Sequence, residues 1–164
     1  MKIFVISDTH FGHENMYKFT DFSGTHRVRK EFQSAHEGDL AMIERWNAVV
    51  SPQDHVYHLG DVSMGPRGLS IVGRLNGRKR LVLGNHDKEP IRDYLAAGFQ
   101  KIFSSRQFDR WCILTHIPIH PEGLVGGKIN IHGHIHERPP YDERYRNVSV
   151  ERINYTPVEL ESLR

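Results

Sequence analysis

The feature that most constrains this chain is a series of five short apolar runs, each leading into a polar cluster. Ile3-Phe4-Val5-Ile6 runs into Asp8-Thr9-His10, and Val56-Tyr57-His58-Leu59 into Gly60-Asp61. Leu81-Val82-Leu83 precedes Gly84-Asn85-His86-Asp87, and Cys112-Ile113-Leu114 precedes His116. Ile129-Asn130-Ile131 leads to Gly133-His134-Ile135-His136. Runs of this length, bounded by glycine or polar residues, read as buried strands that end in loops. In open α/β sheets the loops beyond the carboxyl ends of strands build the ligand crevice. Besides Asp87, these loops carry two Asp, one Asn and five His, a donor set suited to two metal ions.

Between the runs the pattern alternates. Asp39 is the expected cap of a helix in which Leu40, Ile43, Trp46 and Val50 recur at helical spacing. Pro66 to Leu75 reads as a short helix, Arg80 to Leu83 as a strand, and Pro90 to Ala97 as a helix stopped by Gly98. Short strands are expected around 101–103, 111–115, 128–132 and 147–150. Thr156-Pro157-Val158-Glu159 has the form of a capping box opening a C-terminal helix. Strands alternating with helices, followed by a strand-rich half, predict an α/β layered fold. At 164 residues the chain is expected to be one domain over 1–164.

Bulk properties narrow the function classes. A net charge of +2 and a pI near 8.7 are too mild to argue for nucleic acid, which is not favoured as a partner. The single Cys112, inside an apolar run, reads as a small buried hydrophobe. The lack of cysteine pairs fits a reducing cytoplasm, the expected location. The N-terminal apolar stretch is too short for a signal peptide, and no run reaches membrane-spanning length.

Asp8-x-His10, Gly60-Asp61, Gly84-Asn85-His86-Asp87, His116 and Gly133-His134-x-His136, in that order, resemble the full signature of the calcineurin-like metallophosphoesterases. Ser7 to His13 and Asn147-Val148-Ser149-Val150 further resemble a small bacterial and phage branch of that superfamily. The resemblance implies two facing mixed β-sheets flanked by helices, with two metals between the sheet edges. It implies Asp8, His10, Asp61 and His136 around the first metal, and Asp61, Asn85, His116 and His134 around the second, with Asp61 shared. Carboxylate, amide and imidazole donors suit divalent transition ions, Mn²⁺ first and Fe, Zn²⁺ or Ni²⁺ next, better than Ca²⁺. Such a pair lowers the pKa of a bridging water and draws an anionic phosphoryl group. His86, beside a ligand and followed by Asp87, is expected to protonate the leaving oxygen, with Asp87 orienting its ring.

The expected activity is hydrolysis of a small phosphate ester, with a nucleotide among the candidates. Protein Ser/Thr phosphatases of the superfamily follow Gly-Asp with Asp-Arg-Gly, whose arginine grips the phosphate. Here Gly60-Asp61 is followed by Val62-Ser63-Met64, and Arg67 lies further on. A monoester dianion gains from an extra cation and a diester needs it less, so a phosphodiesterase is favoured over a phosphomonoesterase or protein phosphatase. A non-catalytic scaffold is disfavoured because His86 and every ligand position are filled. The long polar stretch 11–38 is expected to form a partial lid. In it His13 and Asn15 are candidate substrate contacts, and Arg27, Arg29 and Lys30 a solvated charge run that can supply a cation. Seven histidines fall outside the signature, and His58 and His132 are expected to serve as partners of the ligands or as core residues.

Overall fold

The structure, a computed structural model, describes residues 1–21, 23–108 and 111–164. Two mixed sheets carry it. The first has five strands in the order β4-β3-β2-β1-β9: β1 (Ile3–Ile6), β2 (His55–His58), β3 (Arg78–Val82), β4 (Phe99–Phe103) and β9 (Val158–Glu159). β1 to β4 are parallel and β9 runs antiparallel to β1. The second sheet is β5-β6-β7-β8: β5 (Arg106–Phe108), β6 (Cys112–Leu114), β7 (Ile129–His132) and β8 (Tyr145–Asn147). Only the β5 pairing is antiparallel in it.

Period-two alternation along the strands decides what each face covers. Val5 and Tyr57 point the same way and join Leu59, Val82, Cys112, Leu114 and Ile131 in a cluster shared by the two sheets. Phe4, Ile6, Val56 and Leu81 point oppositely, into a larger cluster with the helices. α1 (Ala35–Val49) gives that cluster Met42, Ile43 and Trp46; α2 (Pro66–Leu69) gives Leu69, and α3 (Ile91–Ala97) gives Tyr94. Among the described residues, all three α-helices thus share an apolar cluster with the five-stranded sheet. Cys112 is fully buried, as its run implies.

Several boundaries differ from the sequence reading. α1 begins four residues before Asp39, with Ser34 as its cap: the Glu37 amide donates to Ser34 Oγ at 3.2 Å. Asp39 sits inside the helix and accepts from the Gly12 amide at 2.9 Å. Leu40, expected on the apolar stripe, is 42% exposed, and Met42 takes the inward position. Ser34→Ala is expected to cost about 1 kcal/mol by loss of the cap, read as a lowered denaturant midpoint at unchanged slope. Pro90 is the N-cap of α3 rather than its first residue. The C-terminal capping box does not open an α-helix: Val158 and Glu159 pair with Val5 and Phe4 at the sheet edge, and a 3₁₀ turn over Leu160–Leu163 follows. The strand expected at 147–150 ends at Asn147, and Val150–Arg152 is a 3₁₀ turn.

Stretch 11–38 is not a loose excursion. Phe11, Met16, Tyr17 and Phe32 are buried in the larger cluster. Arg29 is fully buried as well, which corrects its reading as part of a solvated run. Among the described residues no helix is long and apolar enough to cross a membrane.

Candidate metal centre

The carboxyl ends of β1, β2, β3, β6 and β7 point to one edge, and the loops leaving them bring the polar clusters together. Asp8, His10 and His136 offer donor atoms within 4.8 Å of one another, and so do Asp61, His116 and His134. The two groups touch through Asp61, whose Oδ2 lies 3.6 Å from His10 Nε2 and 3.4 Å from His116 Nε2. Asn85 joins the second group, with its Oδ1 2.9 Å from His116 Nε2. All seven residues anticipated as ligands therefore converge.

The loops hold these side chains in a backbone conformation most residues avoid. Asp8, His10, Asp61, His134 and His136 all have positive φ, between 47° and 71°. Asp, Asn and His are the non-glycine residues that tolerate this region best. Close approach is needed too: a Cβ on Gly133 would overlap the Asp8 carboxylate and the Ser7 hydroxyl. Backbone donors fix the carboxylates in turn. The His134 amide and Ser149 Oγ both donate to Asp8 Oδ2 at 2.9 Å, and the His86 amide donates to Asp61 Oδ1 at 2.8 Å.

The donor set fits bound cations. Asp8 Oδ1 and both ring nitrogens of His10 are buried with no hydrogen-bond partner, a costly condition unless something else binds them. His116 Nδ1–H donates to the Leu59 carbonyl at 2.8 Å, leaving Nε2 a lone pair. That lone pair faces Asn85 Oδ1, Asp61 Oδ2 and, at 3.2 Å, His134 Nδ1. The His116 lone pair and the two oxygens, three electron-rich atoms converging like this, call for positive charge among them. Burial pulls the His116 pKa down, but Asp61 and Asp8 more than offset it and the ring's affinity for positive charge is raised. Burial pushes the Asp61 carboxyl up, yet His116 and the His86 amide prevail and hold it well below the usual carboxylate range. Burial, reinforced by Arg29, drives His10 far down, so its ring is neutral and able to ligate.

A second layer of contacts was not anticipated. Arg29 Nε bonds Glu151 Oε1 at 2.9 Å, and its two amino groups reach the Thr9 carbonyl at 2.9 Å and the Asp8 carbonyl at 2.6 Å. Glu151 in turn lies 3.3 Å from His136 Nδ1 through both oxygens. Burial raises the Glu151 pKa, but Arg29 and His136 win and keep it ionised. The pair is 122 residues apart in sequence, so no local pattern announced it. His58, flagged as a partner or core residue, is buried and held neutral, its pKa lowered to about 3 by burial. Its Nδ1 accepts from the Gly60 amide, and its Nε2 lies 2.9 Å from Thr9 Oγ1. It thereby ties the β1 and β2 loops together.

Asp87 does not orient the His86 ring as expected. Its carboxylate accepts from the amides of Asp61, Val62 and Gly84 at 2.8–3.0 Å, bracing the loops after β2 and β3. Three amides aimed at one carboxylate leave it no freedom to turn to a neighbouring ring. His86 itself is exposed, its ring 5.6 Å from that of His10.

Cavities flank the centre on two sides. One, of about 620 Å³, is lined by His10, His86, His136 and His13 together with apolar residues of stretch 11–38 and Met64. The other, of about 460 Å³, meets Asn85, His116, Ser104 and Ser105. Asn15 is exposed and lines neither cavity, and Arg67 is on the exposed face of α2. Arg29 is fully occupied internally, so it is not the substrate cation that the charge run suggested.

Residues 1–154 match the model of the calcineurin-like phosphoesterase superfamily domain, and the chain belongs to that superfamily. It is 33% identical to an uncharacterized protein of Methanocaldococcus jannaschii, over 98% of this chain and 88% of that protein. It is also 34% identical to the gene 66 protein of Mycobacterium phage L5, over 49% of this chain and 37% of that protein. A crystal structure of a protein of unknown function from Aquifex aeolicus superposes with a TM-score of 0.70 at 25% identity, over 99% and 97% of the two chains. Pseudomonas putida nuclease MPE has the same fold, with a TM-score of 0.51 at 18% identity over 82% and 61% of the chains. So does an archaeal phosphodiesterase, with a TM-score of 0.51 at 20% identity over 91% and 82%.

Proposed function

We propose that this protein is a dinuclear metal-dependent phosphodiesterase acting as one unit over 1–164. The observation that carries the reading is the pair of donor clusters sharing Asp61 at the floor of a crevice open on two sides. Asp8, His10, Asp61 and His136 would hold one cation, and Asp61, Asn85, His116 and His134 the other, with Mn²⁺ the ion best suited to the set. When bound, such cations act as Lewis acids on phosphoryl oxygens and lower the pKa of water between them.

The chain's own residues supply the rest. Asp61 and Asp8 are held rigid by backbone donors, so no reorganisation is needed as charge develops. His86 stands in the crevice wall with its ring free of the ligand set. We assign it the proton that the leaving oxygen takes as its bond to phosphorus breaks. His13 is assigned a contact with the ester, a reading supported by its place in the same wall and a ring 5.8 Å from that of His10. Asp87 acts by holding the loops that carry Asp61 and His86.

Two features favour a diester. A diester has an arm on each side of phosphorus, and a cavity lies on each side of the centre. The second feature is charge. Among the described residues, Arg138 is the only arginine or lysine lining either flanking cavity. A dianionic monoester would find little cation beyond the metals. Location in the cytoplasm remains part of the proposal, consistent with a sequence that holds a single cysteine.

His86→Gln tests the reading. Turnover is expected to fall about 10²–10⁴-fold on diesters with poor leaving groups, with two metals still bound per chain. The deficit should narrow on nitrophenyl diesters, whose leaving oxygen needs little protonation. An equal deficit on both kinds of ester would remove His86 from the proton transfer.

A further inference from the structure

We propose that the larger cavity seats an uncharged, flat, nucleoside-sized arm of the diester, and that this is the arm that leaves. The inference deepens the phosphodiesterase reading and rests on it.

Size and lining come first. At about 620 Å³ the cavity has the volume of pockets that enclose drug-sized ligands. Beyond the inner histidines its walls are Met16, Phe19, Val28 and Met64. Phe19 and Met64 remain 49% and 42% exposed. Single exposed apolar residues are ordinary, but two converging on a cavity beside a reactive centre form a surface that gains by being covered. An aromatic ring and thioethers suit a planar, polarizable partner.

Charge in the lining sets where the arm must end. Asp21 and Glu137 line the cavity against a single arginine, Arg138, so its charged lining is net negative. A strand continuing beyond the first nucleoside would bring its next phosphate towards two carboxylates, which disfavours it. An arm that ends in a neutral ring meets no such penalty. The smaller cavity, with Ser104 and Ser105 at its wall, is left for the other arm.

Direction follows from His86, which lines the larger cavity and not the smaller. Water adds to phosphorus, giving up one proton to solvent, and the P–O bond to the arm on that side breaks. Its electron pair stays on the ester oxygen, which takes the proton from His86, and His86 is reprotonated from solvent. The nucleoside departs as a free alcohol and the phosphate monoester stays with the smaller arm.

Thymidine 5′-methyl phosphate and ethyl methyl phosphate, whose leaving groups are primary alkoxides of similar ability, test this with Mn²⁺ supplied. Bis(p-nitrophenyl) phosphate serves as an independent check on diester hydrolysis. Thymidine and methyl phosphate are the expected products, at a kcat/KM at least about 10-fold above that for the ethyl ester. Phe19→Ala should shrink that preference about 10-fold, mainly through KM. Met64→Ala should shift it in the same sense, so misfolding of one variant does not decide the matter. A 3′-phosphate on the thymidine should slow cleavage, and Asp21→Asn with Glu137→Gln should narrow that gap. Release of methanol in place of thymidine, or equal rates for both alkyl esters with no change in either variant, overturns the cavity assignment while the diester reading stands. Inert bis(p-nitrophenyl) phosphate beside active p-nitrophenyl phosphate overturns both.

Discussion

Asp61→Asn is expected to strip metal from both sites at once and to abolish measurable hydrolysis. Its Oδ2 faces His10 of one cluster and His116 of the other, so a single carboxylate serves two groups of donors. Asparagine keeps the shape and, with φ at 56°, belongs to the few residue types that accept this backbone. The substitution therefore removes charge and one donor oxygen without disturbing the loop. Outer partners of metal ligands typically cost about 10–100-fold in affinity when changed, and the loss here should exceed that at both sites. His10→Ala, which touches the first cluster alone, is the comparison: elemental analysis should find less metal in the Asp61 variant than in the His10 one. Two tightly held ions per chain in Asp61→Asn would refute the shared-ligand assignment.

Arg29→Met is expected to be the most destabilising substitution outside the ligand set. Both partners of the Arg29–Glu151 pair are almost fully buried, and removing one partner of a buried pair typically costs about 3–5 kcal/mol, because an uncompensated charge remains. The loss also frees the Asp8 and Thr9 carbonyls, to which the guanidinium donates. For a domain of this size the melting temperature should fall by on the order of 10 °C. Arg29→Met combined with Glu151→Leu should recover part of the loss, since the stranded carboxylate is then gone. A fall of less than about 1 kcal/mol in the single variant would mean that the pair is solvated in solution.

The strands and ligand loops were legible because burial writes them into the sequence. Parallel strands covered on both faces must be continuously apolar, and a metal loop must interrupt them with glycine and donor residues, so both signals are local. The start of α1 was also present, as Ser34-x-x-Glu37, but Asp39 offered a competing cap closer to the apolar stripe. The C-terminal box at Thr156 failed for a different reason. The free edge of β1 supplies Val158 and Glu159 with a ladder, and pairing overrides a local helix signal. Arg29 and Asp87 were misread because their partners are set by the fold. Nothing near Arg27-Val28-Arg29-Lys30 says that its third member turns inward to Glu151. Likewise the Asp87 side chain is claimed by amides of residues 61 and 62.

The five left-handed residues at the metal centre also limit which ions this scaffold can be persuaded to accept. The residue types that tolerate positive φ, Asp, Asn and His, happen to be hard or borderline donors. A soft thiolate site, as copper(I) or an iron–sulfur cluster would need, requires cysteine at those positions, where the backbone itself opposes it by about 1 kcal/mol or more for each residue. Retuning the ion should therefore succeed at Asn85 and His116, whose φ is not positive, before it succeeds at Asp8, His10, Asp61, His134 or His136. Selectivity among metals is in this sense written partly in the main chain.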